Sequence, residues 1–316
     1  MKNDYAPPLF LRNRHLATII PNRLRRVSGL VYDRIQLTTP DYDVMVVDVI
    51  QNNSKKAIVL LHGLEGSSLS RYMQGMAKHA LENQFDVIAL NFRGCGGQPN
   101  MLFRAYHSGD TADLSFMLEH FVEYDELALI GFSLGGNVIL KYLGQNSPDQ
   151  RIKSSVAISA PIDLYASAQA LHKKSNFIYL HRFLRQLKKK ALEKVEQFPE
   201  NRHLEGRIKA AHDFETFDNA YTAPAHGFED ALDYYKKSSA LYYLHQIKVP
   251  SLIINAKNDS FLEGKCYPNQ EIENNDVLNM IVPTFGGHVG FAQNHFMTNT
   301  FWHEQQTMRF IKTYLH

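Results

Sequence analysis

The chain is poor in cysteine. Cys95 and Cys266 are the only two in 316 residues. Two thiols so far apart make neither a disulfide framework nor a Cys-pair zinc site, and a reducing compartment suits them. Other signatures are missing as well: there is no H-E-x-x-H, no P-loop and no dinucleotide fingerprint, since Gly94-Cys-Gly-Gly97 fails the G-x-G-x-x-G spacing. No run approaches the ~18 apolar residues of a membrane-spanning helix. Residues 1–26 carry charges and prolines where a secretory signal would have an apolar stretch. The formal net charge of +2 leaves no electrostatic footprint for nucleic acid. These absences predict a cytoplasmic protein that needs no cofactor and no metal.

What is present is an ordinary globular composition, 44% hydrophobic and 21% charged. Residues 31–37 and 44–50 alternate in the manner of an antiparallel edge hairpin. Beyond Lys56 the pattern changes to short, wholly apolar runs at 57–61, 87–90, 127–130, 156–159, 252–256 and 277–282. Such runs are strands buried on both faces, hence a parallel sheet. Helical spacing fills 70–82, 110–122, 134–143 and 299–314. Strand–helix alternation of this kind makes a doubly wound α/β fold, with its ligand at the carboxyl ends of the strands.

Residues 162–247 interrupt the alternation. Phe177, Leu180, Leu184, Leu187, Ala191 and Val195 lie there at helical spacing, so this stretch reads as a helical cap over the sheet edge. The core is then 1–161 plus 248–316, with residues 1–30 as an arm anchored by Phe10, Leu11, Leu16, Ile19 and Ile20. The cap carries Lys173, Lys174, Arg182, Arg185, Lys188, Lys189, Lys190 and Lys194. A basic amphipathic helix can rest on an anionic membrane; the plainer reading is a solvated face over a buried apolar stripe.

The chemistry centres on Gly131-Phe-Ser-Leu-Gly135. A bare G-x-S-x-G is weak, but this one follows a strand and opens a helix, the context a nucleophile elbow demands. The serine sits on a sharp turn, and the small neighbours Gly131, Gly135 and Gly136 suit it. A hydroxyl is a poor nucleophile until a base takes its proton. Hydrolases of this architecture run serine, acid, histidine along the chain. His288, in Gly286-Gly-His-Val-Gly290 after the last strand, meets the requirement for the base; His295 and His303 are competitors deeper in the terminal segment. Asp259 follows the preceding strand and would hold the imidazole tautomer. Asp276 is the alternative acid, but it precedes a strand. The oxyanion needs two backbone donors, expected from Leu64, in His62-Gly-Leu-Glu-Gly66, and from Leu134. His62 and Glu65 read as structural residues of that loop, Cys95 as a small buried thiol, and His107 as a neighbour of the site.

Several blocks together resemble the YheT-like branch of the α/β hydrolases, which is related to abhydrolase-domain lipid esterases. They are His62-Gly-Leu-Glu-Gly-Ser-Ser68, Asn91-Phe-Arg-Gly-Cys95, Arg104-Ala-Tyr-His-Ser-Gly-Asp110, Gly131-Phe-Ser-Leu-Gly-Gly-Asn137, Arg12-Asn-Arg-His-Leu16 and Thr222-Ala-Pro-Ala-His-Gly-Phe228. The resemblance spans nearly the whole chain and is weakest in the middle of the cap. It implies Ser133, Asp259 and His288 as a triad acting on short-to-medium carboxylic esters or acylglycerols. Two other readings remain open at this level. One is an acyltransferase or thioesterase using the same triad; the other is a non-catalytic binding or membrane-surface module on a hydrolase scaffold.

Overall fold

The computed structural model describes residues 4–145, 148–294, 297 and 300–315. Its frame is an eight-stranded sheet in the order β1-β2-β4-β3-β5-β6-β7-β8. The strands are β1 (Asp33–Thr38), β2 (Val44–Ile50), β3 (Lys56–Leu61), β4 (Asp86–Asn91), β5 (Glu126–Phe132), β6 (Ile152–Ile158), β7 (Ser251–Ile254) and β8 (Leu278–Ile281). The hairpin predicted from alternation is β1–β2, and β2 also runs antiparallel to β4; every other pairing is parallel.

Period-two geometry divides the inner strands between two cores, while the edge strand β1 faces only one of them. Along β3, Ala57, Val59 and Leu61 enter one cluster and Ile58 and Leu60 the other. The first face is covered by α3 (Ala112–His120) and α4 (Leu134–Gly144), through Leu114, Met117, Val138 and Ile139. The second is covered by α2 (Arg71–Glu82) and α12 (Trp302–Ile311), through Met73, Met76, Trp302 and Met308.

The arm differs from its expected form. It contains α1 (Arg14–Leu24), whose N-cap Asn13 accepts from the N–H groups of His15 and Leu16. Its buried anchors are Leu11, Ala17, Thr18 and Pro21, whereas Phe10, Leu16 and Ile19 are exposed. Leu16 and Ile19 fall on the outward face of α1, which apolar character alone does not distinguish from its inward face. Arg25 pairs with Glu304 of α12 beneath the Phe301 ring, which ties the arm to the end of the fold.

Between β6 and β7 the chain runs through α5 (Leu164–His172), α6 (Phe177–Gln197), α7 (Glu205–Ala210), α8 (Phe214–Phe217), a π turn (Asp218–Thr222), α9 (Ala223–His226) and α10 (Ala231–Ser238). The short α11 (Asn269–Glu273) lies between β7 and β8. The expected apolar stripe of α6 is present from its second turn on, with Leu180, Leu184, Ala191 and Val195 buried on Leu204, Ile208 and Phe217 and Leu187 half-buried beside them; Phe177, at the first turn, is exposed instead. Its lysines depart from a solvated face. Lys194 is buried on the Asn100 carbonyl, Lys188 caps the carbonyls of Lys209 and Ala211, and the half-buried Lys190 reaches the Glu65 carboxylate. No helix among the described residues is long and apolar enough to cross a membrane.

His303 lies in α12, fully buried, with neither ring nitrogen hydrogen-bonded among the described residues and its ring against Phe132, Phe291 and Phe301. Burial pushes its pKa down to about 4, and Arg25 and His79 act in the same direction against the opposing pull of Glu304. A depressed folded-state pKa means that the unfolded chain binds the proton first as pH falls. Stability is therefore full above about pH 6.5, the unfolded value, and is lost progressively down to the folded one. Between pH 7.5 and 5 this residue should cost about 2 kcal/mol at 1.4 kcal/mol per unit, or about 3 °C for a chain of this size. Thermal melts of His303→Phe should show that much less acid sensitivity than the wild type; parallel pH slopes would refute the assignment.

Candidate active site

Ser133 occupies a left-handed conformation at φ 52°, between the end of β5 and the start of α4. A non-glycine residue there is strained and must be held in place. Its N–H donates to the Ile158 carbonyl at 2.8 Å, and its own carbonyl accepts from Gly136 and Asn137. The turn closes only around glycine. A Cβ on Gly131 would stand 2.3 Å from the Gly135 carbonyl oxygen, and one on Gly135 would stand 2.5 Å from that of Leu61.

His288 sits on the loop after β8, where Gly286 and Gly287 have φ of 150° and 60°. Its Nε2 is 2.9 Å from Ser133 Oγ and its Nδ1 is 2.8 Å from Asp259 Oδ2. An ionised carboxylate only accepts, so Nδ1 carries the proton and Nε2 is left to accept from the serine hydroxyl. Asp259 is fixed in turn, its Oδ1 accepting from the Phe261 N–H at 2.9 Å. The Phe261 ring packs against one face of the imidazole, tilted by 32° with 4.2 Å between centroids. The three side chains predicted together thus form one hydrogen-bonded relay. Asp276 stands just before β8, at the opposite end of the sheet, and His303 is sealed on the far face of β5. His295 lies outside the described residues.

One contributor was not foreseen. Thr18 Oγ of the arm accepts the His288 N–H at 2.9 Å while donating to the Arg14 carbonyl. The only trace of this in the sequence is a polar residue on the apolar side of an amphipathic segment.

Leu64 lies on the loop after β3. The neighbouring N–H groups are engaged, that of Gly63 with Tyr72 Oη, that of Glu65 with Tyr106 Oη and that of Gly66 with the Gly63 carbonyl. The N–H groups of Leu64 and Leu134 make no hydrogen bond among the described residues, and both residues line the same cavity as Ser133 and His288. His62 is structural: Nδ1 donates to the Gly63 carbonyl, Nε2 accepts the Phe92 N–H, and burial lowers its pKa to about 4. Burial pushes the Cys95 thiol up to about 11, so it stays protonated, and the Lys190 ammonium lies 3.6 Å from its sulfur. His107 lines the cavity, packed edge-on against His226 and Tyr234, and burial lowers its pKa to about 3.

The cavity holds about 1080 Å³, at the upper end of the range for small-molecule sites. One wall is apolar, formed by Leu164, Leu171, Phe183, Leu187 and Phe214 from the helices between β6 and β7. Among the described residues, no group of His, Cys, Asp and Glu is arranged to hold a metal.

The α/β-hydrolase-fold family model matches residues 56–291. YheT of Escherichia coli strain K12, which bears an esterase designation, is 32% identical over 99% of this chain and 94% of its own length. Monoacylglycerol lipase of Saccharomyces cerevisiae is 27% identical over 93% of this chain and 66% of its own. The solved Pyrococcus furiosus esterase Pf2001 superposes with a TM-score of 0.60 at 19% identity, covering 92% of this chain and 97% of that one, which shows the shared fold. Fold, family match and a full-length relative agree: the chain belongs to the α/β hydrolases, in their YheT-like abhydrolase branch, and is a hydrolase of the esterase and lipase type.

Proposed function

We propose that the protein hydrolyses carboxylic esters of short-to-medium acyl chains, acylglycerols among them, through an acyl-enzyme on Ser133. The observation that carries this reading is His288 bridging Ser133 Oγ and Asp259 at hydrogen-bond distance on the floor of a largely apolar cavity. Ser133 Oγ attacks the ester carbonyl as His288 Nε2 removes its proton, and the carbonyl π electrons move onto oxygen. The N–H groups of Leu64 and Leu134 receive that oxyanion; such a donor is worth about 3 kcal/mol in the transition state. The tetrahedral intermediate collapses, the C–O bond to the alcohol breaks, and the imidazolium protonates the leaving oxygen. Water, deprotonated by the same nitrogen, then releases the acid and restores Ser133. Asp259 orients the imidazole and stabilises its charge without taking the proton. Residues 162–247 act as a cap whose apolar wall receives the acyl chain.

A p-nitrophenyl ester series from acetate to palmitate tests this. We expect turnover with its optimum in the short-to-medium range. Folded protein that cleaves no ester and resists a fluorophosphonate probe would remove the reading.

A further inference from the structure

Lys190 is one of eight cationic residues in the stretch from Lys173 to Lys194, and its surroundings set it apart. It projects from α6 onto the loop that follows β3. Its Nζ lies 2.8 Å from Glu65 Oε2 and 3.0 Å from Glu65 Oε1, and it donates to the Gly94 carbonyl at 2.8 Å. The ammonium thus spans three parts of the fold: the inserted helix, the loop after β3 and the loop after β4.

Glu65 is the residue after Leu64. It holds a left-handed backbone conformation, φ 55°, which a glutamate adopts only at a cost that its surroundings must offset. Two tethers hold it there. Its N–H donates to Tyr106 Oη at 2.9 Å, and that hydroxyl donates back to Glu65 Oε1 at 2.9 Å. The second tether is Lys190 itself. The Glu65 side chain is only 5% exposed, so without the ammonium its carboxylate would be buried with no counter-charge. It would then turn out to solvent and take the loop backbone with it. The neighbouring Lys189 reaches no further than Glu193 of its own helix.

We propose that Lys190 is a positioning residue for ester hydrolysis, a latch from the inserted helix that holds Glu65, and through it the Leu64 N–H, in the geometry that receives the oxyanion. The proposal rests on the hydrolytic reading above. It makes seating of α6 and formation of the oxyanion pocket a single event. The Leu64 donor acts only on charge that develops in the transition state, so its misplacement lowers kcat and leaves KM in place. An ångström of misplacement costs up to about a hundredfold in rate.

The test compares wild type, Lys190→Met, Lys190→Arg, Glu65→Gln and the exposed control Lys189→Met. Steady-state kinetics on a p-nitrophenyl ester are paired with hydrogen exchange of the backbone amides of residues 62–70. We expect Lys190→Met to lose about ten- to a hundredfold in kcat at constant KM, with faster exchange in that segment. Lys190→Arg should recover most of the rate, Glu65→Gln should fall between, and Lys189→Met should match the wild type. The Glu65 and Lys190 effects should not add. Unchanged kcat in Lys190→Met overturns the proposal whatever the exchange shows, and a rise in KM alone reduces Lys190 to part of the cavity wall. If the wild type cleaves no ester, the hydrolytic reading fails, and exchange alone decides: unchanged protection rejects the latch, and lost protection retains it.

Discussion

Ser133→Ala should lose ester hydrolysis almost completely, by about a millionfold in kcat, because the serine and its base act as a unit. What survives is the modest acceleration that binding and the oxyanion donors supply on their own. The substitution removes one oxygen from a side chain that packs nothing essential. The elbow is built instead on the Gly131 and Gly135 backbone contacts and on the N–H bond to Ile158, all of which remain. The variant should therefore melt close to the wild type, still bind substrate, and fail to react with a fluorophosphonate. Retained turnover at even a hundredth of the wild-type rate would move the nucleophile elsewhere.

Asp259→Asn should be the more instructive variant, with a loss of about ten-thousandfold in kcat and little change in KM. The amide keeps the size of the carboxyl group, and its oxygen can still accept from the Phe261 N–H. Its NH₂, however, donates toward His288 Nδ1, which must then become an acceptor. The ring proton moves to Nε2, the atom that has to accept from Ser133. The geometry survives and the proton stands on the wrong nitrogen. A loss of tenfold or less would show that the Asp259 contact does not set the tautomer.

How much of this was legible in the residues differs by element. The six buried runs marked strands because a strand covered on both faces has no polar side to show, and each observed strand overlaps its run. The elbow was legible because its two glycines are forced by contacts no Cβ survives. The positions of Asp259 and His288 followed from strand order, and the relay joins them to Ser133. The arm was less legible. An eleven-residue helix with Pro21 inside it carries a broken signal, and its inward face is small and polar, Ala17 and Thr18, in place of large and apolar. The region after α6 hid its structure for another reason: helices of four to eight residues span at most about two turns, too few for a 3.6-residue period to show. The burial of Lys194 and the inward reach of the half-buried Lys190 escape periodicity, which locates a Cα and not the reach of a long side chain. Their spacing held the clue, since both flank the stripe of Leu187, Ala191 and Val195.

The hydrogen bond from His288 to Thr18 has a temporal side. Thr18, which steadies His288, precedes it by 270 positions, so the contact can form only after both have been synthesised. Asp4 and the Trp302 indole, 298 positions apart, repeat the pattern. Long-range closures of this kind are slow to find. During synthesis Thr18 must wait for the loop after β8 before it can accept the His288 N–H. On the hydrolytic reading proposed above, a growing chain of this design stays inert toward esters until the α1 segment and the loop after β8 have met.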